Sequence, residues 1–369
     1  MRLAVMVWCA MNRIRDEKGQ AIFLAAGLLF LFLVIAAVVI DLGWWLHDKR
    51  DAQNDVDASV LAGAQELPDE GLASAAAGVW AAGNNVASGD LQCCEFEDRT
   101  GDGSADLIRG TVEREPGSLE SGLVDIGIVT IRAKAAAAKM RAVAACVTPW
   151  GVLGDPAQGP LQGGHWGLTP QELYMFHMSD FTTPGNFGAL ALYGNGAIDY
   201  KEAIETPCGT GTEGACDLPD PEVPVGETLQ CDAKTGNMGQ NTDDALTQRD
   251  ANYGAGAFCD VTTYDEAVGM IQSSATCAAA RAVLIPIIIQ WPPKGHSGPV
   301  EILGIATFYV INWDRQPPYG NVDVDGDTTE DDAMVWGYFM ENVPVIPAWN
   351  IVWGYSDDPF APIRILLVE

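Results

Sequence analysis

From Ala21 to Ile40 the chain reads AIFLAAGLLFLFLVIAAVVI, twenty positions with no charged or polar side chain. As a helix rising about 1.5 Å per residue, such a run reaches roughly 30 Å, the hydrocarbon thickness of a bilayer. Arg13, Arg15 and Lys18 precede it and Asp41 follows it. The positive-inside rule therefore puts the N-terminus in the cytoplasm and the remaining chain outside. A cleaved signal peptide would have an apolar core of about 7–15 residues ending in a small-residue cleavage site. This run is longer and leaves through Asp41-Leu42-Gly43-Trp44-Trp45, where paired indoles suit an interfacial anchor. The expectation is an uncleaved single-pass membrane anchor.

Beyond the span the apolar spacing becomes that of an amphipathic helix. Ala52, Val56, Val60, Gly63, Ala64 and Leu67 recur at intervals of three and four, while Asp51, Asn54, Asp55 and Asp57 lie largely off that stripe. Its small residues favour close packing, and Pro68 stops the helix. A second Ala-rich helix is expected over Gly71–Ala82, ending at Gly83-Asn84-Asn85. From Leu91 the pattern is β-like. Val124, Ile126, Ile128 and Thr130 alternate with Asp125, Gly127, Val129 and Ile131, as on two faces of a strand. Gly154 to about Asp260 is rich in Gly, Pro, Asn and Asp and reads as loop-rich. Val283–Ile289 and Ile302–Ile311 are near-continuous apolar runs suited to central strands, and Ile363–Val368 reads as a terminal strand. The fold class expected is α+β: a transmembrane helix continuing into an Ala-rich stalk, then a β-rich, loop-rich, disulfide-stapled extracytoplasmic domain. The expected divisions are 1–20 cytoplasmic, 21–40 transmembrane, 41–90 stalk, 91–150 β-rich, and 151–369 loop-rich then β-rich.

Charge and cysteine content sharpen this picture. The formal net charge is −30, from 20 basic and 50 acidic residues. The first twenty residues are net positive, so the acidity belongs to the part beyond the span. Such a surface repels nucleic acid and attracts cations. Of 9 cysteines, Cys9 precedes the span, leaving Cys93, Cys94, Cys146, Cys208, Cys216, Cys231, Cys259 and Cys277. An even number in an oxidising compartment implies up to four disulfides, with pairing open. A zinc site is the rival reading, but no CxxC pair occurs, and His47, His165, His177 and His296 are scattered.

The order of features resembles the TadE/TadG-like proteins of Flp (tight-adherence) pilus assembly, in particular the TadG-like group. The resemblance rests on Asp16-Glu17-Lys18-Gly19-Gln20-Ala21, the span, Asp41-Leu42-Gly43, Arg50-Asp51-Ala52-Gln53-Asn54 and Val60-Leu61-Ala62-Gly63-Ala64. Further on, Pro149-Trp150-Gly151, Gly185–Leu192, Asp199-Tyr200 and Gly236-Asn237-Met238 resemble segments of the group's secreted regions. The resemblance implies a non-enzymatic component of Flp/Tad pilus assembly or associated cell-surface machinery. It would sit in the bacterial cytoplasmic membrane, with pilus or Tad-machinery partners met through the anchor and stalk helix. Prepilin-like members are cut after a Gly with a Glu five residues on; here Leu24 follows Gly19 at that offset, so a retained anchor is expected. Asp57-Ala58-Ser59-Val60-Leu61 lacks the second Ser of a DxSxS metal site, so no von Willebrand A-like domain is expected.

Two acidic loops are candidate Ca2+ sites. In Asn321–Asp332, oxygen side chains fall at loop positions 1, 3, 5, 9 and 12 (Asn321, Asp323, Asp325, Thr329, Asp332), Gly326 takes the sharp turn, and Asp327 offers its carbonyl. Asp98–Asp106 matches with Asp98, Thr100, Asp102 and Asp106, although Arg109 stands where the last carboxylate belongs. Either ion would be structural. A solvated acidic turn is the competing reading of both. No GxSxG, HExxH, P-loop or GxGxxG occurs, so no enzyme is expected. The eleven Trp admit a carbohydrate-contact or a core-filling role. A calcium-stabilised adhesin or ligand-binding module on a Tad-type anchor is the alternative function.

Overall fold

The computed structural model describes residues 17–368 except 88, 102, 116–129, 161–163, 178–186, 195, 207–215, 217–221, 233–237, 293–296, 314–333, 345–350 and 357. Of the strand expected over Val124–Ile131, all but Thr130 and Ile131 lies outside the described residues, as does the loop Asn321–Asp332. The chain divides into two compact units: Met1–Phe96 with Ile108–Ala137 and Leu367–Glu369, and Glu97–Leu107 with Ala138–Leu366.

The first unit is built on α1 (Glu17–Gln65), one helix through both the apolar run and the stalk. A four-residue turn leads to α2 (Glu70–Gly83), whose N-terminus is capped by Asp69 accepting from the Leu72 amide at 2.9 Å. Strands β1 (Leu91–Glu97), β2 (Leu107–Arg114) and the first half of β3 (Ile131–Ala145) follow, with β2 in the middle. The Ala-rich start of β3 is a strand despite high helix propensity, because its pattern has period two. Ile131, Ala133 and Ala135 are buried, while Arg132 and Lys134 are exposed.

In the second unit, seven strands form a sheet. The central strands are β9 (Ala282–Ile288) and β10 (Ser297–Asn312). β4 (Trp150–Leu153) joins β9 in parallel, and β6 (Phe187–Ala189) lies outside it. On the other side β11 (Met334–Met340) pairs with β10, and β5 (Leu173–His177) pairs with β11. β8 (Thr228–Asp232) pairs antiparallel with the first five residues of β10. The continuous apolar run of β10 is explained by burial on both faces. Ile305, Tyr309 and Ile311 enter one core, and Ala306, Phe308 and Val310 enter the other. The second core is aromatic: Phe176 stacks on Phe308 at 4.3 Å, and Phe339 meets Phe308 edge-on at 5.1 Å. The remainder of β3 pairs antiparallel with β7 (Val223–Pro224) and β12 (Ile351–Gly354), and β13 (Ile363–Leu367) completes the strands.

The region read as loop-rich contains two helices, α3 (Ala197–Glu205) and α4 (Gly239–Tyr253), followed by α5 (Tyr264–Ser273) and α6 (Ala275–Arg281). Besides short apolar faces such as Ala203 and Ile204 of α3 and Ala267 and Ile271 of α5, a buried cation ties three of them together. Arg249 of α4 is fully buried and donates to Ile204 O at 2.7 Å, Ala279 O at 2.7 Å, Ala280 O at 3.0 Å and Ala282 O at 3.3 Å. These are last-turn or cap carbonyls of α3 and α6, which have no partner within their own helices. Disulfides join Cys216 to Cys231 and Cys259 to Cys277, at Cα–Cα distances of 4.1 and 5.3 Å; adjacent Cys93 and Cys94 are paired, and Cys146 is also disulfide-bonded.

Candidate functional site

The apolar half of α1 is uncovered by the chain. Phe23 is 81 % exposed, Phe32 68 % and Val39 62 %, values that water would penalise along the whole run. It is the one helix among the described residues long and apolar enough to cross a membrane.

The second half of α1 is the reverse: every residue of the predicted stripe is buried. Ala52, Val56, Val60 and Ala64 have no exposed surface, and Leu67 has 1 %. The partners come from the same unit. Ala73, Ala77 and Ala81 form the buried face of α2. A Cβ on Gly63 would stand 2.6 Å from Ile108 Cδ1 and 2.9 Å from Ala73 O, so only glycine permits this approach. On β2, a Cβ at Gly110 would meet Val60 Cγ1 at 3.0 Å. The stripe is thus the inner face of a helix–helix–sheet core, and it is not open to another protein. Polar residues of the stalk fasten its edges. Gln53 Nε2 donates to Lys134 O of β3 at 2.9 Å and to Asp57 at 2.7 Å. Arg114, at the end of β2, pairs with Asp55 at 3.1 Å and donates to Asp48 O at 2.7 Å.

With that face used, the apolar surface left on α2 is its outer side. Leu72, Val79 and Trp80 are 56, 71 and 57 % exposed; Leu72 and Val79 lie about two turns apart along one line, and Trp80 is the next residue round from Val79. Sequence reading missed it because Ala-rich EGLASAAAGVWAAG is apolar all round, and periodicity cannot say which side is covered.

At the β1–β2 turn, the second candidate loop is knit by its own amides. Asp98 accepts from Gly101 N at 2.6 Å and Gly103 N at 2.8 Å, and those bonds hold its carboxyl below the ordinary range. The buried Asp106 accepts from Arg99 N at 2.9 Å and Thr100 N at 3.1 Å. Thr100 donates its hydroxyl to Asp98 at 3.3 Å, and Asp102 lies outside the described residues. This is the bonding of a tight Asx-type turn. Asn321, Asp323, Asp325, Asp327, Thr329 and Asp332 lie outside the described residues altogether. His47, Asp48 and Asp51 bring three ligand atoms within 4.8 Å of one another just past the span, on an exposed turn where His47 pairs with Asp51 at 2.9 Å. His165 is taken up by Glu341 at 2.7 Å and rests against the Phe360 ring.

Segments that looked family-like in the sequence meet inside the second unit. Trp150 Nε1 donates to Tyr200 Oη at 2.9 Å, Tyr200 bonds Thr242 at 2.8 Å, and Thr242 donates to Met238 O at 2.9 Å. Leu190 N donates to Pro149 O at 2.9 Å. Burial raises the Tyr200 phenol above its ordinary range, so it stays a neutral link in this chain.

The architecture defines a class: a long N-terminal helix with an uncovered apolar half, a self-packed stalk, and an α+β body stapled by disulfides. Residues 19–66, the span and stalk, match the Tad family model, described as "Putative Flp pilus-assembly TadE/G-like". The TadE/TadG-like resemblance therefore holds over that segment. No curated protein and no solved structure matches the chain.

Proposed function

We propose that this protein is a non-enzymatic, membrane-anchored component of Flp/Tad pilus assembly. The carrying observation is the coincidence of the family match at 19–66 with a helix whose first half is bare and apolar and whose second half is packed into the chain's own core. In this reading the bare half spans the bacterial cytoplasmic membrane, with the N-terminus inside and the chain beyond the span outside. Partner helices of the pilus machinery meet the anchor within the membrane and the Leu72–Val79–Trp80 face above it.

The test is a clean deletion in the native host, scored for Flp-type pili by electron microscopy. Loss of pili, restored by the full-length gene, is expected; normal piliation overturns the proposal. Complementation with Val79→Asp/Trp80→Asp should leave the protein folded and abundant but pili reduced. Full piliation by that variant would remove the α2 face from the account.

A further inference from the structure

A groove of about 520 Å³ opens in the second unit, a size typical of small-ligand sites. Its apolar wall includes the half-buried Trp166, Leu303 and Tyr355. Its polar groups include Ser356 and Asp358. Asp358 is only 3 % exposed, yet it carries a carboxylate into this wall. Oδ2 accepts from Ile305 N and Oδ1 from Phe360 N, both at 3.0 Å, which leaves acceptor capacity on each oxygen. The Trp166 indole N–H is buried and faces the same carboxylate without reaching hydrogen-bond geometry. Both groups crowd over Gly304: a Cβ there would fall on Asp358 Oδ2 and within 3.2 Å of Trp166 Nε1.

Charge narrows the ligand. Arg141 exerts an attractive field on Asp358, and it also donates to Asn342 at 3.1 Å. Arg99, at the rim, is paired with Glu97 at 2.9 Å. In a chain of net charge −30, the groove is thus close to balanced, and an ionic ligand would have to compete with existing pairs. A pyranose is the neutral complement: its C–H face covers aromatic and aliphatic side chains, and its hydroxyls both donate to a carboxylate and accept from N–H groups.

We propose that the groove lined by Trp166, Leu303, Tyr355, Ser356 and Asp358 binds a neutral hexopyranose unit of a glycan. This is independent of the pilus-assembly reading, because it concerns what the second unit holds and not how the chain is mounted.

The test uses the full chain in phospholipid nanodiscs, since glycosidic detergents would themselves occupy the groove. Saturation-transfer NMR is recorded with methyl β-glucopyranoside, methyl α-mannopyranoside and N-acetylglucosamine, with glucosamine, glucuronate and arginine amide as charged comparators. Saturable binding of at least one neutral sugar is expected, stronger than that of any charged comparator. Tyr355→Ala and Leu303→Ala should each weaken it roughly fivefold, the loss of one aromatic or aliphatic contact surface; Tyr355→Ala should keep the urea midpoint, whereas Leu303→Ala should lower it, since Leu303 also packs on the aromatic core. Absence of saturable binding by all three neutral probes overturns the proposal. So does preference for a charged comparator, or binding that neither variant moves.

Discussion

Replacing Arg249 by Met keeps the aliphatic stem and removes the guanidinium that closes two helix ends. Three of its four bonds to backbone carbonyls are 3.0 Å or shorter. At about 1.5–3 kcal/mol for a hydrogen bond to a charged donor, these contribute on the order of 5–9 kcal/mol gross. Against this stands the cost of burying the cation, which pushes its pKa from 12.5 down to about 10. A shift of that size corresponds to roughly 3 kcal/mol, and Met removes that cost. The net loss expected is therefore about 2–6 kcal/mol, a large part of an ordinary domain's stability. Arg249→Lys, with a point charge in place of a fork, should fall between Met and wild type. Urea unfolding of the full chain in micelles, followed by near-ultraviolet circular dichroism, measures it. A Met variant within about 1 kcal/mol of wild type would refute the reasoning, because it would mean that the carbonyls of α3 and α6 find other partners at no cost.

Val56→Asp should destabilise the first unit by more than about 4 kcal/mol, from lost apolar burial plus a carboxyl forced into the helix–sheet core, and limited proteolysis should then cut within the stalk. Asp358 gives a pH signature. Burial raises its pKa from 3.8 to about 6, so the folded state holds a proton that the unfolded state releases between those values. Its contribution is fully present below about pH 4 and is lost as pH rises through 6, by roughly 3 kcal/mol. The stability of wild type minus that of Asp358→Asn should fall across that window and be flat above it; a difference that rises with pH contradicts the assignment. We also propose a structural Ca2+ in Asn321–Asp332. With a Kd on the order of 10⁻⁴–10⁻³ M, about 10 mM Ca2+ should add roughly 1.4–2.7 kcal/mol, removable by chelator and absent in Asp323→Ala/Asp325→Ala.

The parts legible in the sequence were those with one clear period. The Ala52–Leu67 stripe named the buried face of the stalk residue for residue, because small and branched apolar side chains at helical spacing have no other place to go. The runs around Ile285 and Phe308 named the central strands. What the stripe did not reveal was its partner: burial by Ala73, Ala77 and β2 is a tertiary fact, and a narrow stripe fits a self-packed core and an intermolecular contact equally. Helix α4 was hidden for a different reason. GQNTDDALTQRDANY has no apolar stripe, and its inward face includes Thr242 and Arg249, residue types that pattern reading assigns to solvent. A signal for its neighbour did exist. Thr263 and Glu266 form a reciprocal capping box, with Thr263 Oγ1 accepting from Glu266 N at 3.3 Å, and that spacing marks the start of α5. The groove at Asp358 was illegible because Trp166, Leu303 and Tyr355 are far apart in the chain and carry no shared motif.

The central claim is that the protein works in pilus assembly while tethered by the span at 21–40. The most direct measurement is complementation of the deletion strain with a chain whose first forty residues are replaced by a cleavable signal peptide, so that the stalk and body are exported without an anchor. The account predicts a folded, exported protein and no Flp-type pili by electron microscopy, with pili restored by the intact chain at equal abundance. Wild-type piliation from the untethered chain would contradict it.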